Sequence, residues 1–151
     1  MTTTNADDFD YFEIDVTEYA ADAHIGFSST GTLSWDNLDW KISLGGWGGG
    51  RSVIRKKGVS GYLARVDHGT SDWKTMRSQM TVKVSDGEIT VLRENKKSFM
   101  TVKDDSIKKS DLKYMTVTGH YSSGTWKINA FPAGTVNYQK SSLQMFKRFC
   151  F

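Results

Sequence analysis

Apolar and polar residues alternate along most of the chain with a period of two. Such alternation places successive side chains on opposite faces of a sheet, as expected of half-buried β-strands. Little of the sequence fits a helical stripe, so we expect at most one short helix. The alternating segments are 12–16, 23–27, 40–44, 62–66, 80–84, 89–91, 100–102, 115–117 and 126–130.

Turn-forming residues separate these segments, as in 28–31, 85–87 and 121–124. The Asp86-Gly87 pair lies between two alternating segments and predicts a β-hairpin, closed by a tight primed turn that needs positive φ. Short strands at this spacing, with such turns between them, predict an all-β fold. We expect an antiparallel, jelly-roll-like β-sandwich in which residues 1–151 form a single domain.

Composition and charge exclude several classes of protein. Aromatic residues make up 13% of the 151 residues, which is more than an intrinsically disordered chain contains. No apolar run is long enough to cross a bilayer, so we expect no membrane insertion. The net charge of +3 is spread along the chain and does not indicate a nucleic-acid partner.

The single cysteine, Cys150, excludes an internal disulfide and a multi-cysteine zinc site. It is either a bystander thiol or a bridge between two copies, and the second alternative allows a homodimer. The first ten residues carry neither a positive segment nor an apolar core of the kind found in signal peptides. This is expected of a cytoplasmic protein, or of a secreted one whose signal has been removed.

The most unusual local feature is a glycine-rich segment, 45–50, that surrounds Trp47. A strand-like run follows it, whereas a phosphate-binding loop would open a helix. In one interpretation the glycines form a bulge with Trp47 packed in the core. In the other, Trp47 stands at the rim of a pocket beside Arg51 and Arg55, which either face that pocket or pair with nearby acids.

Asp22 and His24 share a strand face, because Ala23 and Ile25 take the opposite one. A carboxylate and an imidazole suit the hydroxyl groups of a sugar, although the two side chains could also form a simple surface pair or a strand-end hydrogen bond. His120 is a further candidate for ligand binding. The sequence shows no catalytic set and no metal-ligand spacing, so we expect no catalytic residues, no metal and no cofactor.

Five parts of the sequence form a recognisable set, namely 22–25, 41–48, 51–55, 86–91 with 93–94, and 123–128. They resemble the domain family named for farnesoic acid O-methyltransferase, and the resemblance covers about 11–130. It implies a β-sandwich binding module, and the positions that match in kind are Asp22, His24, Trp47, Arg51, Arg55, Arg93 and Glu94. The chain departs from the family pattern at Gly49, where the family tends to have Asn, and at Gly119-His120, where it tends to have Gly-Trp.

The family name implies methyl transfer, a chemistry that is usual on doubly wound α/β domains rather than on strand-rich chains. We therefore expect a non-enzymatic carbohydrate-binding module, a lectin whose indole stacks on the sugar. A methyltransferase of the farnesoic acid type and a structural or protein-interaction β-sandwich are the alternatives.

Overall fold

The structure is a computed structural model, and it describes residues 11–17, 22–31, 34–76, 79–120, 125–129 and 136–138. Within these ranges, eleven strands form two sheets, of five and of six strands. In chain order the strands are β1 (Tyr11–Thr17), β2 (Asp22–Ser28), β3 (Trp40–Gly45), β4 (Arg51–Lys56), β5 (Ala64–Asp67), β6 (Gln79–Ser85), β7 (Glu88–Arg93), β8 (Ser98–Lys103), β9 (Tyr114–His120), β10 (Thr125–Asn129) and β11 (Val136–Tyr138).

The two sheets have the spatial orders β10-β1-β6-β7-β8 and β11-β9-β2-β3-β4-β5. Neighbouring strands run antiparallel except β11, which runs parallel to β9. The core lies between the sheets, where the apolar residues of each alternating segment meet. Ile14 and Val82 from one sheet and Ile25 and Ile42 from the other are fully buried in a single cluster. This confirms the expected all-β sandwich.

The Asp86-Gly87 hairpin is also confirmed, because these two residues join β6 to β7. The primed turn is not: Gly87 has a φ of 81°, but Asp86 is not among the residues with positive φ. Contacts with the segment after β8 shape this turn. The Asp86 carboxylate accepts a hydrogen bond from the Lys109 amide at 2.7 Å, and the Gly87 amide donates to the Ile107 carbonyl at 2.8 Å.

Two short α-helical elements occur in the described ranges, one more than the sequence pattern allowed, together with three 3₁₀ helices, at Trp35–Asn37, Glu94–Lys96 and Lys109–Asp111. The first, α1 (Gly46–Gly49), is one turn with left-handed residues inside it, and the second, α2 (Thr70–Met76), is a regular helix. The sequence pattern did not locate α2. Among the side chains of this helix that the structure describes, Trp73 is the buried one, and the apolar residues Trp73 and Met76 are too few to make a stripe. None of the helices in the described residues has the length and hydropathy required to span a membrane.

An ion pair links the two sheets at one end of the sandwich. Lys56 on β4 donates to the Asp104 carboxylate at 2.9 Å, and Asp104 directly follows β8. The same carboxylate accepts hydrogen bonds from the hydroxyl and the amide of Ser106, at 2.6 and 2.8 Å. The Ser106 hydroxyl and Lys56 favour the charged form and lower the pKa of Asp104 to about 2.

Acid should therefore weaken the fold through Asp104. A carboxylate whose pKa lies lower in the folded state stabilises the fold above its unfolded pKa, and this stabilisation is lost as the pH falls towards 2. We expect Asp104→Asn to lower the free energy of unfolding by about 1 kcal/mol at neutral pH, because solvent screens the pair. Between pH 4 and 2 the variant should lose less stability than the parent chain.

Urea unfolding at pH 7, 4 and 2.5 measures this difference. The matched control is Asp105→Asn, since Asp105 is an exposed neighbour of the same charge. It should follow the parent chain at each pH. Equal acid slopes for Asp104→Asn and the parent chain would contradict the assignment.

Candidate functional site

The outer face of the six-stranded sheet brings together most of the candidate residues. Since Ala23 and Ile25 face the core, Asp22 and His24 point outward from β2. Pairing places His24 beside Ser43 on β3, and Ser43 beside Val53 on β4. Arg51 and Arg55 lie two residues on either side of Val53 and therefore share this outer face.

The connection between β2 and β3 folds back over the middle of this face. Its Leu38 side chain is fully buried and occupies the space where a Cβ at position 26 would lie, so Gly26 allows the close approach. Asp39 fixes the end of the connection by accepting hydrogen bonds from the amide and the hydroxyl of Ser29, at 2.6 and 2.8 Å. Trp35 of the connection contacts His24 on β2, and the Lys41 Nζ on β3 lies 5.7 Å from the centre of the Trp35 ring.

His24 is held from both sides of its ring. Its Nε2 lies 3.0 Å from the Asp22 carboxylate, and its Nδ1 lies 3.0 Å from the Ser43 hydroxyl. The edge of Trp35 packs against it, with ring centroids 5.2 Å apart. Both ring nitrogens therefore have partners within the protein, and the Asp22–His24–Ser43 set braces the β2–β3 connection rather than presenting a free imidazole.

The glycine-rich segment turns between β3 and β4 with Trp47 at its tip. Trp47 adopts a left-handed conformation, with φ 56° and ψ 48°, and 55% of its surface is exposed. The interpretation that packs Trp47 in the core is therefore wrong. Trp73 of α2 is the buried indole under this segment, 2% exposed, and its ring fills the space beneath Gly45 and Gly49.

His68 supports the glycine-rich segment from below. Its Nε2 lies 3.0 Å from the Ser52 hydroxyl, which accepts a hydrogen bond from the Gly45 amide at 3.0 Å. Its ring stacks on Trp73, with centroids 5.1 Å apart. Burial lowers the pKa of His68 and favours the neutral ring. His68 is half-buried because α2 brings Trp73 against it.

Trp47 and Tyr62 form the centre of what we call the arginine–aromatic cluster, which also contains Arg51, Arg55 and Arg65. The two rings meet edge to face, with centroids 6.0 Å apart. The guanidinium carbons of Arg51 and Arg55 lie 5.2 and 5.5 Å from the Trp47 ring centre. These are cation–π distances, so the cations help to fix an exposed indole in place.

Asp67 on β5 neutralises part of the cluster. Its two carboxylate oxygens accept hydrogen bonds from the Nε atoms of Arg51 and Arg65, each at 2.7 Å. Hydrogen bonds from Arg65 and then Arg51 lower the pKa of Asp67, and the bond to Asp67 raises the pKa of Arg51. The sequence left open whether Arg51 and Arg55 pair with acids, and the structure shows that Arg51 does.

The arginines of the cluster also interact with the Tyr62 hydroxyl. Partial burial by itself would raise the pKa of Tyr62, but hydrogen bonds from Arg51 and Arg55 outweigh it and lower that pKa below its usual value. The cluster thus favours negative charge at the surface of the sheet.

An open groove of about 470 Å³, which we call the basic groove, lies next to the cluster. Its volume is in the range of small-molecule sites. Arg55 and Tyr62 belong to both the groove and the cluster, so that a ligand in the groove would also reach the cluster. The groove is lined by Asp36, Lys41, Arg55, Lys56, Lys57, Gly58, Val59, Gly61 and Tyr62.

The remaining candidates lie elsewhere. Arg93 ends β7 of the five-stranded sheet, and Glu94 begins the 3₁₀ helix that follows, so neither lies on the outer face of the six-stranded sheet. His120 ends β9 opposite Asp22, and its side chain lies outside the described part of the structure. Cys150 lies outside the described residues altogether.

Sequence reasoning did not single out Tyr62, Lys41, Arg65 or Asp67. Each is a common surface residue by itself, and only the pairing of β3, β4 and β5 brings the four together. The alternation of segment 62–66 was visible, and in such a segment Arg65 lies on the face opposite to Ala64 and Val66. What the sequence lacked was the register that sets Arg51 opposite Asp67 and Lys41 opposite Arg55.

The fold and the site define a β-sandwich module with an aromatic and cationic surface on one sheet. Within the ranges that the structure describes, no group of three or more acidic, histidine or cysteine residues is arranged to hold a metal ion. The family model described as farnesoic acid O-methyl transferase matches residues 2–131, and the chain belongs to this family. Comparison with curated proteins and with solved structures finds no match.

Proposed function

We propose that the protein is a non-enzymatic carbohydrate-binding module whose ligand contacts the arginine–aromatic cluster and the basic groove. The observation that carries the proposal is Trp47, a large apolar side chain held 55% exposed in a left-handed conformation. A bulky residue in this conformation costs about 1–2 kcal/mol, and such strain is concentrated at functional sites. The exposed indole offers a flat surface for the apolar face of a sugar ring.

The polar surroundings of Trp47 suit hydroxyl groups. Arg51 and Arg55 offer planar sets of donors on one side, and the Tyr62 hydroxyl both donates and accepts. The braced Asp22–His24–Ser43 set supports the neighbouring part of the same face through the β2–β3 connection. Stacking plus oriented polar groups is the combination that a sugar requires.

The family description suggests methyl transfer as the second candidate function. Against it, the glycine-rich segment here leads into strand β4 and lies on top of Trp73. A dinucleotide-type glycine turn instead leads into a helix whose N-terminus binds the ligand. We therefore propose binding, without bond-making, as the activity of the site.

Saturation-transfer difference NMR with a panel of monosaccharides and short oligosaccharides, followed by calorimetric titration of the hits, tests the proposal. We expect at least one sugar to bind with a dissociation constant of about 1 mM or tighter, as befits a single open site. S-adenosylmethionine, titrated in parallel, should not bind. No sugar bound at millimolar concentration would overturn the proposal, and tight binding of S-adenosylmethionine would favour the methyltransferase.

A homodimer belongs to the same proposal, since two weak sites on one particle raise avidity without new contacts. Sedimentation with and without reductant separates a monomer, a dimer and a dimer bridged through Cys150. A monomer under both conditions would remove this part of the proposal and leave the binding site unchanged.

A further inference from the structure

The charges around Tyr62 do not balance. The guanidinium carbons of Arg51, Arg55 and Arg65 lie 5.9, 4.7 and 5.8 Å from the centre of its ring. Asp67 accepts from Arg51 and Arg65, which accounts for one negative charge against three positive ones. Of these three arginines, Arg55 is the one with no carboxylate partner among the described residues.

Arg55 is held by Tyr62 and Trp47 rather than by a carboxylate. Its Nε is buried and has no hydrogen-bond partner in the described part of the chain. Its direct neighbour across the sheet is Lys41, another cation, and like charges placed opposite each other on a sheet destabilise it. Because no described carboxylate neutralises this pair of cations, both are available to bind an anionic ligand.

The basic groove also carries more positive than negative charge. Four of its lining residues are cationic, namely Lys41, Arg55, Lys56 and Lys57, and one is acidic, Asp36. Lys56 is already engaged with Asp104 at 2.9 Å. Lys41, Arg55 and Lys57 have no ion-pair partner among the described residues, and they surround a groove open to solvent.

We infer that the basic groove binds the anionic group of an acidic saccharide, with Arg55, Lys41 and Lys57 as its partners. This inference rests on the proposed function and names the ligand class for the same site. A guanidinium matches a carboxylate in a planar, two-bond arrangement, while a lysine acts as a point charge. Tyr62 and Trp47 lie beside Arg55, so the sugar ring stacks on the cluster while its acidic group enters the groove.

The anionic oxygens belong either to the carboxylate of a uronic acid or to a sulfate ester, because the groove satisfies both by the same chemistry. The test compares trigalacturonate, a sulfated trisaccharide of the same length and neutral galactotriose, by calorimetry with the full chain. At about 20 mM salt we expect an acidic sugar to bind about tenfold more tightly than the neutral one. The advantage should shrink at about 300 mM salt, because salt screens exposed charges.

Charge variants locate the interaction. Lys41→Gln and Lys57→Gln should each weaken the binding of the acidic sugar about threefold or more, and should weaken that of the neutral sugar by a smaller factor, because only the acidic sugar loses an ionic contact. Lys103→Gln is the matched control, since Lys103 is a lysine on the five-stranded sheet with 80% of its side chain exposed. It should leave the binding of both sugars unchanged.

The outcomes separate this inference from the proposed function. Equal affinity for acidic and neutral sugars overturns the inference and keeps the sugar site. If no sugar binds, both the inference and the proposed function are wrong. If inorganic sulfate binds as tightly as the acidic sugars, the groove is an anion site and the inference of a saccharide ligand is wrong. Tighter binding of either acidic sugar supports the inference, and the better of the two identifies the group that binds.

Discussion

Replacing Gly45 with alanine should destabilise the fold by about 3 kcal/mol, from left-handed strain and overpacking together. Gly45 has a φ of 70°, and a Cβ there would overlap the ring of Trp73 beneath it. Trp73 is 2% exposed, so it has little room to move away. The variant should also disturb the arginine–aromatic cluster, because Trp47 is only two residues further along.

Gly48→Ala is the matched control for this substitution. Gly48 has nearly the same φ, 69°, but no atom lies within 4 Å of the place its Cβ would take. It should therefore show only the backbone cost, about 1 kcal/mol. Urea unfolding of the two variants measures the difference. Equal losses would show that Trp73 does not fill the space beneath Gly45.

Replacing Trp47 with glycine should weaken sugar binding at least tenfold and leave the stability of the fold within about 1 kcal/mol of the parent. Glycine accepts the left-handed conformation, which relieves about 1–2 kcal/mol of strain. The loss of the cation–π contacts with Arg51 and Arg55, about 0.5–1 kcal/mol each at an exposed site, offsets that gain.

Calorimetric titration and urea unfolding of the same variant measure both effects. Tyr114→Ala is the control, since Tyr114 is another aromatic residue on the outer face of the sheet, but on β9, three strands from β4. It should keep the affinity of the parent chain. Unchanged affinity in Trp47→Gly would remove the indole from the site, and a large loss of stability would show that Trp47 holds the fold together.

Much of the site could be anticipated because its parts are local. The glycines around Trp47 and the shared face of Asp22 and His24 are visible in the sequence, and the structure confirms that shared face. For Trp47 the sequence left a core position and a pocket rim open, and the structure excludes the core position. The role of His24 could not be anticipated. Its Nδ1 partner, Ser43, lies 19 residues away and reaches it only through strand pairing.

The positions of Arg93 and Glu94 could not be anticipated from the sequence. The family resemblance pointed to them, but the strand order places β7, which ends at Arg93, in the other sheet, and Glu94 directly follows it. Which sheet a strand joins depends on long-range pairing, and no local pattern of residues encodes it.

The sequence alone determined that the chain forms half-buried strands and hence a sandwich, because alternation with a period of two is a local property of the backbone. The tertiary structure decided which of two indoles is buried: α2 lays Trp73 under the glycine-rich segment, and Trp47 is left at the surface. It also decided that Arg51 meets Asp67 while Arg55 meets Lys41. A register shift of one residue would reverse every outward side chain, so the charge of the site follows from strand pairing rather than from composition.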